Sequence, residues 1–306
     1  MLLGLALLLI RSPLAFAMHD DTLGNSPLLV ETHVHSAFSA DAVADVGVLA
    51  VTARALGYDA VFLTDHNEGS AFQIRGDTAN RRVLDEDDGG WKLFQRGDLR
   101  SSTSAMESET AYRGVRAFHL ALSAPSTGAV GLWARRGPLI AAGPVILSFA
   151  VLVRHLDPES GFAATVTLGG DSDVAQAIGY TTAGGEVLLD RHVTFAWTIG
   201  SPVLPTSQPA HRVLVFPLPE PRADEWTLYT VDVTEALAQL PADEQPHPFA
   251  AFLHPRFTLS AHDGSADLFL DAVTLEARNP LAPAEEFVAR TQLCHAFSSD
   301  SFRLFC

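Results

Sequence analysis

Cysteine, lysine and long apolar runs are all scarce in this sequence of 306 residues. The two cysteines, Cys294 and Cys306, are too few to predict a disulfide scaffold. No run of uninterrupted apolar residues reaches the roughly 18 that a membrane-spanning helix needs. Lys92 is the only lysine, and the formal net charge is −16. Nucleic acid is therefore excluded as an expected partner, because phosphate binding requires a basic face.

Apolar residues are nonetheless abundant enough for a core. The hydrophobic content of 47% beside 18% charged residues is typical of a globular protein, with room for one large or two ordinary domains. Residues 1–17, "MLLGLALLLIRSPLAFA", have the short apolar run and A-x-A ending of a secretory signal peptide. They predict a secreted or periplasmic protein. The alternatives are a buried first strand or a wrongly assigned start, because Arg11 interrupts the run and no basic segment precedes it.

The segment 26–75 has the pattern of an α/β unit. An apolar run from Leu28 to His33 predicts a buried strand, and residues at helical spacing follow, with Asp41 as N-cap and Gly57 as the stop. The run "AVFLTDHN" predicts a second strand. Strand, helix and strand in this order form a βαβ unit, whose two strands are parallel.

The rest of the chain changes character twice. Residues 76–90 are charged and contain glycine, which predicts a linker, and residues 91–278 alternate short β-rich runs with turn residues, which is typical of a sandwich. Within this region "TEALAQLPADE" predicts one short helix. Residues 279–306 return to helical spacing and end in "SFRLFC", which resembles the opening of a third α/β strand. The predicted fold class is thus an α/β domain interrupted by an all-β sandwich.

Histidines follow both predicted strands of the α/β unit. Residues i and i+2 of a strand point the same way, so His33 and His35 present two imidazoles to one side. His66 follows the neighbouring strand at the same edge, and Asp41 lies just past the first strand. These four residues form a candidate cup for a borderline divalent metal, with Asp65 as support behind the ligands. The alternative is a solvated or core-satisfied histidine pair, which is the commoner meaning of an isolated His-x-His.

The stretches "ETHVHSAFSAD" and "VFLTDHN" resemble the first two motifs of the polymerase and histidinol phosphatase (PHP) superfamily. The resemblance covers residues 28 to 69. It implies a distorted (β/α)7 barrel that binds Zn, Mn or Fe and hydrolyses phosphate esters by metal-bound hydroxide, with His33, His35, Asp41 and His66 as ligands. Glu31 stands where the family has aspartate, in a supporting position with Asp65, and Ala42 replaces a glycine.

The later ligands of that family have no counterpart in this chain. A glutamate after the third strand, further histidines and a final Asp-x-His are all missing. The resemblance therefore implies a partial barrel, apparently truncated in residues 279–306, and an enzyme that is inactive or incomplete as this chain.

The β region resembles a galactose-binding-like jelly roll of carbohydrate-binding modules. The runs "EWTLYTVDVTEAL" and "ADLFLDAVTLEA" carry this looser resemblance. It implies a structural calcium near the last strand, with Asp271 as candidate ligand, or else a charge that simply faces solvent. Trp133, Trp197 and Trp226 are candidates to stack on a sugar, although tryptophans of a sandwich more often belong to the core.

Two functional hypotheses result. The first is a secreted metal-dependent phosphoesterase that acts on a phosphate-ester substrate. The second is a non-catalytic sandwich module that binds carbohydrate or protein and carries a vestigial PHP segment. A calcium-stabilised adhesion domain with a coincidental His-x-His is a third, weaker alternative.

Overall fold

A computed structural model describes residues 28–36, 46–64, 80–85, 91–107, 110–134, 144–169, 179–205, 207, 210–246, 253–278 and 294–305. These residues are mostly β. The helices with both ends described are α1, Val46–Ala55, and α2, Val233–Leu237, and residues 294–296 are also helical. The strands are β1 Val30–Val34, β2 Ala60–Leu63, β3 Asn80–Asp85, β4 Trp91–Gly97, β5 Ser101–Glu107, β6 Ala117–Ala134, β7 Val145–Leu156, β8 Ser160–Leu168, β9 Tyr180–Thr181, β10 Val187–Leu188, β11 His192–Gly200, β12 His211–Pro217, β13 Trp226–Asp232, β14 Leu253–Arg278 and β15 Arg303–Phe305.

A small parallel sheet contains the βαβ unit that the sequence predicts. Its order is β1-β2-β15, and both pairings are parallel. The helix α1 ends where Gly57, at φ 82°, supplies the left-handed conformation that a helix stop requires. Val61, Leu63 and Leu304 are buried in the core shared with α1. Three parallel strands are described in this region, and the described residues contain no closed barrel.

The burial predicted for the first strand is wrong. Leu28 is 73% exposed, Leu29 is 48% exposed and Val30 is 36% exposed. The physical reason is the position of β1 at an edge of the sheet, where β2 covers only one side of its backbone. An apolar run alone does not separate an edge strand from a central one.

Strands β9 and β10 form a separate antiparallel pair. The remaining strands form a β-sandwich in which two long strands serve both layers. The first layer has the order β12-β11-β8-β14-β6-β4. The second layer contains β13, β7, β5 and the other halves of β14 and β6. The change of layer along β14 coincides with a register shift between His262 and Gly264. All these pairings are antiparallel except β11 with β12, which are parallel.

Phenylalanines from both layers meet in the core. Phe149 of β7 lies 5.9 Å from Phe162 of β8 and 5.4 Å from Phe257 of β14, measured between ring centroids. All three side chains are fully buried. Aromatic pairs at this separation add to the hydrophobic stabilisation that burial provides.

Two further elements bear on the predicted layout. The short helix α2 lies where "TEALAQL" predicts it, and the Asp232 side chain caps it by accepting N–H bonds from Thr234 and Glu235. Strand β3 lies inside the segment 76–90, and it pairs with β14. That part of the predicted linker is therefore a strand of the sandwich. The predicted helix over residues 283–293 lies outside the described residues.

One further finding concerns the cysteines, and another concerns the helices. Cys294 is 3% exposed and disulfide-bonded, and Cys306 is the only other cysteine that the chain offers. No helix within the described ranges has the length and apolar content that crossing a bilayer requires.

A histidine pair lies at the parallel edge of the first layer. His192 and His211 are register partners, and their ring centroids are 3.8 Å apart. Burial and the neighbouring His211 lower the pKa of His192 to about 4, and burial lowers the pKa of His211. Both rings are therefore neutral at pH 7. Arg191, Arg212 and Glu244 are the charged groups beside them.

We expect this pair to make the fold sensitive to acid. A folded-state pKa below the ordinary 6.5 means that stability is complete above pH 6.5 and is lost as the pH falls toward about 4. Urea unfolding at pH 7.5 and pH 4.5 measures the effect. His192→Asn should lose less stability over this interval than the wild type, whereas the exposed control His295→Asn should match it. An unchanged loss in His192→Asn contradicts this assignment.

Candidate functional site

Two of the three predicted metal-ligating histidines, His33 and His35, lie together at the carboxyl edge of the parallel sheet. The ring centroids of His33 and His35 are 4.8 Å apart. Strand β2 reaches the same edge, because Thr64 donates its backbone N–H to the carbonyl of Val34 at 2.8 Å. The Thr64 hydroxyl is 3.4 Å from Nδ1 of His33. The edge thus presents two imidazoles beside the end of the neighbouring strand.

Glu31 supports the backbone at this edge. One oxygen of its carboxylate accepts the N–H groups of Thr32 at 2.9 Å and His33 at 3.1 Å. These bonds fix the end of β1 from which the imidazoles project. Asp41, Asp65 and His66, the other predicted residues of the site, lie outside the described residues. Within the described ranges, no group of three His, Cys, Asp or Glu side chains could hold a metal.

Asp271 lies in the second layer, where its carboxylate binds backbone N–H groups. It is 1% exposed, so the solvent-facing alternative is wrong. One carboxylate oxygen accepts the N–H groups of Tyr112 at 2.5 Å and Arg113 at 2.9 Å, and the other accepts that of Ala272 at 2.6 Å. The buried charge is therefore satisfied by backbone donors, and it ties the segment before β6 to β14. A role for Asp271 as a calcium ligand stays a prediction.

An aromatic row crosses the outer side of the second layer. The pairing places Trp226, Leu152, Phe269 and His119 side by side on β13, β7, β14 and β6. Tyr112 joins the row with its ring 5.9 Å from Trp226. We call these five residues the aromatic face. Trp226 is half-buried and Tyr112 is 39% exposed, so part of each ring is open to a ligand.

Polar pairs flank the aromatic face. His119 stacks on Phe269 at 4.3 Å and contacts the Asp267 carboxylate through Nε2 at 3.0 Å. Arg154 lies over the other part of this face, 5.6 Å from the Phe269 ring centroid and 3.6 Å from the Asp224 carboxylate. Donors and acceptors therefore occur beside the accessible parts of the Tyr112 and Trp226 rings, whereas Phe269 and Leu152 of the same face are buried.

The three candidate tryptophans have different positions. Trp197 is 5% exposed and belongs to the core, as the commoner alternative predicts. Trp133 is half-buried on the first layer, with the Lys92 ammonium 5.6 Å from its ring. Of the three, Trp226 alone belongs to the aromatic face. Tyr112, His119 and Phe269 were not predicted, although the alternation Asp267, Phe269, Asp271 in "ADLFLDAVTLEA" indicates one outward face.

Comparison with known proteins gives low similarities. No family model matches the sequence, and no curated protein matches it. Among solved structures, a carbohydrate-binding module of the β-sandwich superfamily is 16% identical with a TM-score of 0.35, over 67% of this chain and 63% of that chain. The family 11 carbohydrate-binding module from Clostridium thermocellum, in complex with a β-1,3-1,4-mixed-linked tetrasaccharide, is 8% identical with a TM-score of 0.36, over 67% and 99%.

A β-1,2-glucanase from Parabacteroides distasonis is 12% identical with a TM-score of 0.28, over 61% of this chain and 23% of that chain. With TM-scores of 0.36 or less, these likenesses assign neither a family nor a ligand to the chain. The β-sandwich description therefore depends on the strand pairing itself.

We expect Asp271→Ala to loosen the segment that carries Tyr112. The change leaves the N–H groups of Tyr112, Arg113 and Ala272 without their carboxylate acceptor, at a cost of about 1–3 kcal/mol in the free energy of unfolding. Urea denaturation measures the cost, and hydrogen exchange of residues 110–116 locates it. Asp243→Ala, an exposed aspartate, is the control. Equal stability of the two variants contradicts the anchoring role.

Proposed function

We propose that the chain is a carbohydrate-binding protein whose β-sandwich binds sugar through the aromatic face. The single observation that carries the proposal is the exposed Tyr112–Trp226 ring pair beside polar side chains. Aromatic rings offer a flat apolar surface to the C–H groups of a pyranose ring. The flanking carboxylates, guanidinium and imidazole offer acceptors and donors to its hydroxyls.

The charges on this face favour an uncharged ligand. Asp267 contacts the His119 imidazole and Asp224 is paired with Arg154, so each carboxylate lies beside a nitrogen-bearing group. A neutral oligosaccharide needs such a mixture, because its hydroxyls both donate and accept hydrogen bonds. The rings are also held in place before binding: Trp226 packs on Leu152 and Phe269, and Asp271 fixes the backbone of Tyr112. Such preorganisation lowers the entropic cost of association.

Trp226→Ala and Tyr112→Ala should each weaken carbohydrate binding. We expect a loss of about 2 kcal/mol for Trp226→Ala, which is roughly a 30-fold rise in Kd. Affinity gel electrophoresis of the full chain against soluble β-glucan, xylan and galactan identifies a ligand, and titration calorimetry measures the Kd. Phe62→Ala removes an aromatic ring of similar exposure, 39%, from the parallel sheet and should bind like the wild type.

Two results contradict the proposal. One is that the wild type is not retarded by any of these polysaccharides. The other is that Phe62→Ala and Trp226→Ala reduce binding equally, since the aromatic face would then have no special part in it.

A second candidate function is metal-dependent phosphoester hydrolysis, and the His33–His35 edge favours it. The two imidazoles fit a Zn, Mn or Fe ion, and His66 and Asp41 would complete the ligand set implied by the PHP resemblance. A bound metal would supply a hydroxide nucleophile and polarise the phosphoryl oxygens. Among the described residues, Glu31 would hold the strand end and Thr64 would orient His33 through the contact with Nδ1.

This second function predicts that His33→Ala together with His66→Ala removes transition metal from the purified full chain. The sandwich should remain folded, because Val30–Val34 belongs to the separate parallel sheet. Atomic absorption measures the metal, and thermal unfolding checks the fold. His155→Ala, an exposed histidine of the sandwich, is the matched control. Unchanged metal content in the double variant contradicts the site.

We also propose secretion or periplasmic export. The features of residues 1–17 support it, and so does the disulfide-bonded state of Cys294. Disulfides form and persist in oxidising compartments and are rare in the cytosol.

A further inference from the structure

His192 and His211 share a setting unlike that of the other described histidines. Each begins a strand at the parallel edge of the first layer, where β11 and β12 are in register. Their ring centroids are 3.8 Å apart, with the ring planes inclined by 41°. The backbone N–H of His192 is also tied to the carbonyl of Ala210 at 3.0 Å. Both imidazoles are thus held in place by the sheet.

A chain of hydroxyls orients one of the two rings. Nε2 of His211 lies 2.9 Å from the Thr194 hydroxyl, which in turn lies 3.0 Å from that of Thr167. In one arrangement of the protons, Nε2–H of His211 donates to the Thr194 hydroxyl, and the Thr194 hydroxyl donates to that of Thr167. Nδ1 of His211 then carries a lone pair. Metal-ligating histidines have this arrangement, in which the ring nitrogen opposite the metal donates to an oxygen acceptor.

The second ring has a buried polar atom with no protein partner. Nδ1 of His192 is inaccessible to solvent and makes no hydrogen bond. A buried polar atom of this kind is uncommon in a folded protein and indicates an ion or water that binds there.

We propose that His192 and His211 form a two-imidazole site for a borderline divalent metal ion such as Zn²⁺, separate from the His33–His35 edge. Imidazole nitrogens suit Zn²⁺, Ni²⁺ and Cu²⁺. No third His, Cys, Asp or Glu side chain joins them within the described ranges, so the two imidazoles are the protein ligands of the proposed site.

The charges around the pair permit a cation. Arg191 precedes one histidine and Arg212 follows the other, and both guanidinium groups face Glu244, at 3.7 Å and 3.0 Å from its carboxylate. Glu244 therefore offsets part of the positive charge of Arg191 and Arg212. It is held by these arginines and is not counted as a ligand.

The position of the site indicates what the metal does. In the described structure, β12 pairs with β11 alone and forms an edge of the first layer. A metal that joins His192 to His211 links these two strands at their first residues. Because the folded state offers both ligands together, metal binding stabilises it. The ion would thus hold the edge strand β12 against β11.

The test uses the full chain with His33→Ala and His35→Ala, so that the other predicted metal site does not contribute. Titration calorimetry with Zn²⁺ should detect binding in this background, and Zn²⁺ should raise its melting temperature. Adding His192→Asn and His211→Asn should abolish both effects. His155→Asn, added instead, should leave both unchanged.

Thr194→Val keeps the shape of the side chain and removes the acceptor for His211, so Zn²⁺ affinity should fall by about 10- to 100-fold. Zn²⁺ binding that persists in the variant without His192 and His211 overturns the proposal. If that variant does not fold, Thr194→Val decides, and an affinity equal to that of its parent overturns the proposal.

Discussion

The contact of Phe149 with Phe162 and Phe257 is the constraint on which the sandwich depends, since it joins one layer to the other. Burying these rings fixes which side of every strand faces inward, because a shift of one residue would turn each side chain to the opposite face. Along β14, Leu268 and Leu270 are turned into the main core, so Phe269 lies on the opposite side of the strand, in a second buried cluster with Leu152. The aromatic face is therefore a consequence of core packing.

The parallel sheet is attached to the sandwich by close packing of α1. A Cβ at Gly47 would collide with Thr181 of β9 and with the Phe297 ring, so the helix approaches this region only through a glycine. Arg54 donates to the carbonyl of Phe297 on the same side. The histidine edge and the aromatic face belong to different sheets of one continuous core, and each offers a different chemistry. Imidazoles favour a metal, whereas aromatic rings with paired charges favour a neutral sugar.

Short sequence patterns predicted the elements that are stabilised by contacts between residues close together in the sequence. The helical spacing of α1, the alternation in the β runs and the shared direction of His33 and His35 are visible in short windows of sequence. Burial of β1 was wrong because an edge position depends on which strands pair with it. Asp271 was placed in the correct strand, but its backbone partners lie about 160 residues away, at Tyr112 and Arg113. Pairings between strands leave no periodic signal in the sequence, whether the range is long, as for Asp271, or shorter, as for His192 with His211.

The passage of β14 through both layers also limits how the molecule can be divided. Its first half hydrogen-bonds β8, and its second half hydrogen-bonds β7, so each layer contains a piece of the same uninterrupted backbone. A cut within this strand would leave both layers incomplete, and neither fragment would retain a whole sheet. The two layers are therefore expected to fold and unfold together, because neither has a complete sheet without its part of β14.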